Sequence, residues 1–326
     1  RGLGDVYKRQ TGRTEVDQNG SVSIKTKSLD LSDSSYVKTT TVIPKRNAGD
    51  ITIEADSVSL TNRSSLLSNT EPNKFESELG LSGLDYGNAG RLEIKTGSQQ
   101  LADQSKISSD SFTSGDGGDV ALTATSGLGL ANRSAIYAGA LGQGQGGRIA
   151  IDTGAMNLSG KSAVVADVRD SGNGGEVTVK FAKPIRDESI NPFGLDFLVF
   201  GGAGFTITNG DFSGGGITDG TLFGQADGET RVRVSVDGEV WFELDPKRAP
   251  AFDAYHPTAG SGDFGLPVNP DLAKSDFAGG GLSTLTRLYD GSGGGTGYDL
   301  GWAIDADGKP VTLSQVRFVK LKVLSG

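Results

Sequence analysis

The stretch Asn47-Ala48-Gly49-Asp50-Ile51-Thr52-Ile53 decides the fold, because it comes back. Its relatives open with Asn19-Gly20-Ser21-Val22, Asn88-Ala89-Gly90-Arg91, Asp116-Gly117-Gly118-Asp119, Gln145-Gly146-Gly147-Arg148 and Asn173-Gly174-Gly175-Glu176. Taken at the last glycine of each copy (20, 49, 90, 118, 147 and 175), the spacings are 29, 41, 28, 29 and 28 residues. Self-similarity at a period of a few tens of residues is the mark of a stacked-repeat architecture.

Inside each copy the apolar positions keep register. Two and four residues after the glycine stand Val22/Ile24, Ile51/Ile53, Leu92/Ile94, Val120/Leu122, Ile149/Ile151 and Val177/Val179. Alternation of period 2 is a strand with one buried face. A leucine follows further on (Leu31, Leu60, Leu101, Leu130, Leu158), with one residue inserted near Gly127 in the Leu130 copy. Then come a polar turn ending in serine (Ser35, Ser64, Ser105, Ser134, Ser162) and another apolar residue (Val37, Leu66, Ile107, Ile136, Val164).

One repeat cannot bury its apolar face, whereas copies stacked about 4.8 Å apart form continuous apolar columns. The pattern predicts an all-β chain whose residues 13–170 form a parallel β-helix. Each coil has about 28 residues and three short strands, and the hand is right, as for most parallel crossovers. The long second spacing places residues 71–87 in a loop. After the glycine, Asp50, Arg91, Asp119, Arg148 and Glu176 alternate in sign, which predicts a ladder of opposite charges between coils.

Beyond residue 170 the period ends. Longer strand patterns (Leu195 to Phe200, Arg231 to Val236, Val240 to Leu244, Val316 to Val323) alternate with loops rich in Gly, Pro and Asp. Asp237-Gly238 reads as a two-residue hairpin and Asp307-Gly308 as a turn. Without a helical period, residues 171–326 are expected to form an antiparallel, jelly-roll-like β-sandwich.

Composition narrows the function. A net charge of −9 disfavours nucleic acid and anionic membrane surfaces as partners. No cysteine is present, so disulfides, thiolate metal sites and thiol nucleophiles are excluded. No run of apolar residues is long enough to insert in a bilayer as a helix. No metalloprotease, Walker or Rossmann signature occurs. His256, the sole histidine, lies in a His-Pro loop without a nucleophile elbow, so Ser-His-Asp chemistry is not expected.

Three aspartates at strand edges or in long loops, Asp196, Asp263 and Asp299, are the candidate calcium ligands, and calcium is the only cofactor considered. Gly294 to Asp299 matches the calcium turn of β-rolls, but in a single copy that would lack the stacked neighbours such a turn needs. Tyr255, His256 and Trp302 are the candidate ligand contacts, offering ring faces for sugars. Asp119 and Asp152 are the carboxylates through which a polysaccharide-cleaving enzyme on the coils would act.

Two resemblances add to this reading. The glycine-led repeats resemble the passenger repeats of filamentous-haemagglutinin-like exoproteins. Residues from about Gly174 onward resemble an uncharacterised domain of bacterial cell-surface proteins, commonly those with a PEP-CTERM sorting signal. That likeness runs through Asp196 to Gly201, Val234 to Gly238 with Trp241, Tyr255 to Thr258, Leu266 to Pro270, Asp276 to Gly279 and Gly293 to Ala303. Arg1 to Gln10 resembles translated sequencing-adapter read-through, so residues 1–12 are set aside as artefactual or disordered.

The resemblances imply an extracellular or outer-surface location and a fragment lacking its native ends. The role they imply is structural or adhesive rather than enzymatic: a β-helical stalk presenting the sandwich to a glycan or a neighbouring cell. The alternative is a carbohydrate-binding or polysaccharide-active module.

Overall fold

The computed structural model describes residues 20–43, 45–72, 87–160, 162–166, 168, 174–201, 204–223, 230–250 and 262–323. The chain divides into two compact units, 1–183 with 320–326, and 184–319.

The first unit is a β-solenoid of about five turns. Strands Val22–Leu31, Ile51–Leu60, Leu92–Leu101, Val120–Leu130 and Arg148–Thr153 pair in parallel, each with the next. Ile24, Ile53, Ile94, Leu122, Ile151 and Val179 stand opposite one another in turn, and Ile53, Ile94, Leu122 and Ile151 are at most 2% exposed. A second column runs Leu31, Leu60, Leu101, Leu130, Leu158. A third, Val37, Leu66, Ile107, Ile136, Val164, lies on the three-residue strands of a separate five-stranded parallel sheet. Each fully buried Ile or Leu contributes roughly 1.5–3 kcal/mol.

The coil differs from three separate short strands. In Ile51–Leu60 the buried positions are 51, 53 and 55, then 58 and 60. The alternation slips at Asp56–Ser57, so one continuous strand bends and supplies two faces. Inward hydroxyls serve this bend: Thr26, Thr96 and Thr153 each donate to the carbonyl two residues on. The remaining face is held by single bridges linking Thr41, Thr70, Ser111, Ala140 and Val168. The residue inserted near Gly127 appears as a register shift between Thr96 and Ser98.

At Gly90, Gly118, Gly147 and Gly175 the glycine that heads the repeat is there for space. A Cβ on Gly118 would meet the Gly90 carbonyl and the Ser109 hydroxyl; one on Gly147 would meet the Gly118 carbonyl. The polar turn solves a different problem. Asp33/Ser34, Asn62/Arg63, Asp103/Gln104 and Asn132/Arg133 all have positive φ, between 53° and 66°. Asn and Asp tolerate that left-handed region best among non-glycines, which accounts for the Asx residue opening each pair. The serine that follows closes the turn: the hydroxyls of Ser64, Ser134 and Ser162 each donate to the carbonyl three residues back.

The charge ladder takes a different form from side-chain ion pairs at every step. Arg148 Nε does meet Glu176 Oε1 at 3.5 Å. Asp50 and Asp119, however, accept the backbone N–H of Arg91 (2.8 Å) and Arg148 (3.1 Å) on the next coil. A parallel seam repeats the device, with Asn47, Asn88 and Asp116 accepting from the amides of Asn88, Asp116 and Gln145.

The unit boundary at 183 corrects the one expected near 170. Glu176–Phe181 lies parallel to Arg148–Thr153 and extends the stack, and Lys320 Nζ reaches Glu176 at 3.1 Å within the same unit. The expected loop at 71–87 falls largely on residues 73–86, outside the described residues.

The second unit has no repeat. Thr230–Ser235 pairs antiparallel with Phe242–Leu244, which pairs antiparallel with Ala303–Ile304. Two further antiparallel pairs are Phe197–Val199 with Thr296–Tyr298, and Gly204–Ile207 with Thr218–Phe223. Among the described residues these pairings do not by themselves establish the expected sandwich. Helices Lys274–Phe277 and Leu282–Tyr289, which sequence patterning missed, carry much of a core cluster of Val268, Phe277, Leu285 and Tyr289. Eight residues make barely two turns, too few for a helical period to stand out.

The Asp237-Gly238 connection is longer than a two-residue hairpin: the strands stop at Ser235 and resume at Phe242. Asp237 Oδ1 accepts the amides of Glu239 and Val240, and Trp241 Nε1 donates back to the Gly238 carbonyl at 3.0 Å. The Asp307-Gly308 turn forms as expected, with Gly308 at φ 75°. Among the described residues no helix is long and apolar enough to cross a membrane.

Candidate functional site

Asp196 is the hub of a polar junction in the second unit. It follows a tight segment in which Pro192–Gly194 forms a 3-10 turn and Phe193 takes φ 58°. Its Oδ1 accepts the Glu188 amide and Asn191 Nδ2, each at 3.0 Å, and its Oδ2 accepts the Leu300 amide at 2.9 Å. Its own amide donates to the Tyr298 carbonyl at 2.7 Å. The adjoining strands Phe197–Val199 and Thr296–Tyr298 are antiparallel, and the Phe197 and Tyr298 rings stack at 5.4 Å.

Asp299 caps the short turn Leu300–Trp302 by accepting the Gly301 amide at 2.6 Å. Asp187 arrives from the other side, its amide donating to the Ser314 carbonyl. One carboxylate oxygen from each of Asp187, Asp196 and Asp299 lies within 4.8 Å of the others. Burial, then the negative charges of Asp196 and Asp299, push the Asp187 carboxyl above the usual aspartate range. None of the three takes part in an ion pair among the described residues, and no donor there reaches the Asp187 carboxylate.

Two of the three candidate calcium ligands thus come together, Asp196 and Asp299, with Asp187 as the third member. Asp263 is outside this group: its Oδ1 accepts the Gly265 amide, and its backbone bonds Gly291 and Gly293. Three carboxylates fall short of the six to eight oxygens calcium takes, so backbone carbonyls or water would have to complete a shell. Asp187 was missed because Arg186-Asp187-Glu188 reads as an ordinary charged surface run; only its spacing from Asp196 in a folded turn marks it.

Of the candidate ligand contacts, Tyr255 and His256 lie outside the described residues. Trp302 ends the 3-10 turn, half-buried; the Arg248 guanidinium sits 5.6 Å from its ring centre and Tyr298 meets it edge-on at 6.4 Å. One ring face is therefore already covered. Trp241 packs edge-on against Phe318 at 6.2 Å. The single calcium-roll motif has become a buried strand: a Cβ on Gly295 would lie 2.7 Å from the Phe200 ring, and one on Gly297 would meet Leu195.

Beside Asp196 opens a cleft of about 350 Å³, lined by Pro192, Phe197, Phe200, Phe264 and Pro267 among others. Phe200 and Phe264 face each other at 5.6 Å, each about two-fifths exposed. Sequence reading did not single out these rings, since isolated phenylalanines in strands and loops normally go to the core.

In the first unit, the carboxylates considered for catalysis are engaged. Asp119 accepts the Arg148 amide, and Asp152 pairs with Lys180 at 2.7 Å. A scan against protein-family models and searches of curated proteins and of solved structures find nothing that matches this chain.

Proposed function

We propose that this chain is part of an exported bacterial surface protein with a structural and adhesive role, in which a β-solenoid is the scaffold and the second unit makes the contacts. The observation that carries the reading is the use of the first unit's polar side chains. Asp50, Asp116 and Asp119 reach amides of neighbouring coils, and Lys25–Glu54 and Lys180–Asp152 bridge coils at 2.9 and 2.7 Å. Side chains committed to coil-to-coil bonding suit a scaffold; a catalytic pair would need to be turned toward a substrate. The acidic balance suits an exterior that stays solvated. A glycan array and intact bacterial cells, each probed with the labelled chain, test the reading. Saturable binding supports it. Depolymerisation of pectate or alginate by the chain, lost in Asp119→Asn or Asp152→Asn, would replace it with an enzyme.

A second reading, a carbohydrate-binding module with a structural calcium ion, draws on the convergence of Asp187, Asp196 and Asp299. A melting temperature that rises with added calcium and returns with chelator would favour it.

A further inference from the structure

We propose that the cleft beside Asp196 is a binding site for an arginine side chain presented by a protein partner. The inference does not depend on where the chain resides.

One end of the cleft is aromatic. Phe200 and Phe264 are kept open by the backbone beneath them: a Cβ on Gly295 would lie 2.7 Å from the Phe200 ring, and one on Gly293 would lie 2.8 Å from the Phe264 ring. Each ring thus rests on glycine backbone, and each residue keeps about two-fifths of its surface exposed. The other end is anionic. Asp196 lines the cleft, and carboxylate oxygens of Asp187 and Asp299 lie within 4.8 Å of its own. None of the three carboxylates forms an ion pair among the described residues.

An occupant must answer both ends. A neutral sugar leaves the carboxylates unbalanced, and an anion is repelled. Guanidinium meets both demands, since it is planar, stacks on aromatic faces and forks onto carboxylates. Lysine supplies a point charge on a stem that does not stack. The volume of about 350 Å³ admits one long side chain rather than a folded segment. Next in sequence to the lining residues Asn191 and Pro192, Ile190 (87% exposed) and Phe193 (57%) offer apolar surface to the backbone that carries the arginine. Phe193 is held at φ 58°, a strained conformation for a bulky residue and one that marks ligand clamps elsewhere.

The test is a titration of the isotopically labelled full chain with N-acetyl-arginine methylamide, followed by amide shifts at low salt. Shifts should concentrate at Phe197 to Phe200 and Gly265. The citrulline isostere, which keeps the shape and loses the charge, should bind about tenfold more weakly, the usual worth of a charged hydrogen bond. Asp187→Asn and Phe264→Ala should each weaken arginine at least about threefold by the same reasoning. No donor among the described residues reaches the Asp187 carboxylate, so Asp187→Asn removes no hydrogen bond seen there; Asp196 is left alone because three donors depend on it. Equal binding of citrulline, shifts indifferent to both variants, or calcium moving these amides while arginine does not would each overturn the proposal.

Discussion

The two units use aspartate in opposite ways. In the solenoid the carboxylate reaches across coils: Asp50 to the Arg91 amide, Asp110 to Gly139, Asp116 to Gln145 and Asp119 to Arg148. In the second unit it bonds two residues on: Asp211 to Ser213, Asp219 to Thr221, Asp245 to Lys247, Asp263 to Gly265 and Asp305 to Asp307. The first habit specifies how coils stack, and the second shapes a single loop. Asp196 breaks the local rule by reaching the Leu300 amide, far along the chain, and it stands at the one junction among that unit's described residues where three carboxylates gather.

A stacking glycine of the solenoid and a turn glycine of the second unit differ just as sharply, and substitution of the first should give the largest effect. At Gly118 the obstacle is the neighbouring coil, so Gly118→Val should lower stability by about 3 kcal/mol and shift the urea midpoint accordingly. At Gly308 nothing lies within 4 Å and only the positive φ is at issue, so Gly308→Ala should cost about 1 kcal/mol. Equal costs would mean that the coils are not in contact at this seam.

A column can also be improved. Gln99 is fully buried in a position flanked by Val58 and Leu128, and its Oε1 has no hydrogen-bond partner among the described residues. Gln99→Leu should raise stability by about 1 kcal/mol, because a buried orphan acceptor is removed and the apolar column becomes continuous. A fall in the urea midpoint would show that the amide is satisfied by water.

The smallest effects concern pH, and their sign divides carboxylates within the second unit. Asp187 has a raised pKa, so the folded state favours its neutral form: that contribution is fully present below the unfolded pKa and is lost as pH rises through the folded one. Asp187→Asn should therefore raise the melting temperature slightly at neutral pH, with the gain fading in acid. Asp237 is lowered, by the amides of Val240 and then Glu239, and its contribution is lost as pH falls through its folded pKa. Asp237→Asn should lower the melting temperature at neutral pH, and the loss should fade in acid. Parallel pH profiles for the two variants would contradict the assignment.

The columns through Ile53, Leu60 and Leu66 were legible because each was written six or five times at a fixed interval, and independent copies reinforce one another. A second outward charge column, Lys25, Glu54 and Lys95, could have been found by the same alignment. The bend at Asp56–Ser57 was also visible as a slip in alternation, once the strand was not assumed to end there. By contrast, Asp187 and the rings of Phe200 and Phe264 each occur once. Nothing in their local sequence distinguishes a converging group from an ordinary surface or core residue.

By itself, then, the sequence determined the solenoid: its period, its register and which side chains are buried. Repetition turns a long-range contact into a fixed offset of 28 or 29 residues, or 41 where the loop is inserted. Only the tertiary structure decided the second unit, including its short helices and the meeting of Asp187, Asp196 and Asp299 beside an aromatic cleft. Those contacts join segments separated by irregular loops, and no local preference of the chain encodes which distant residues a loop will bring together.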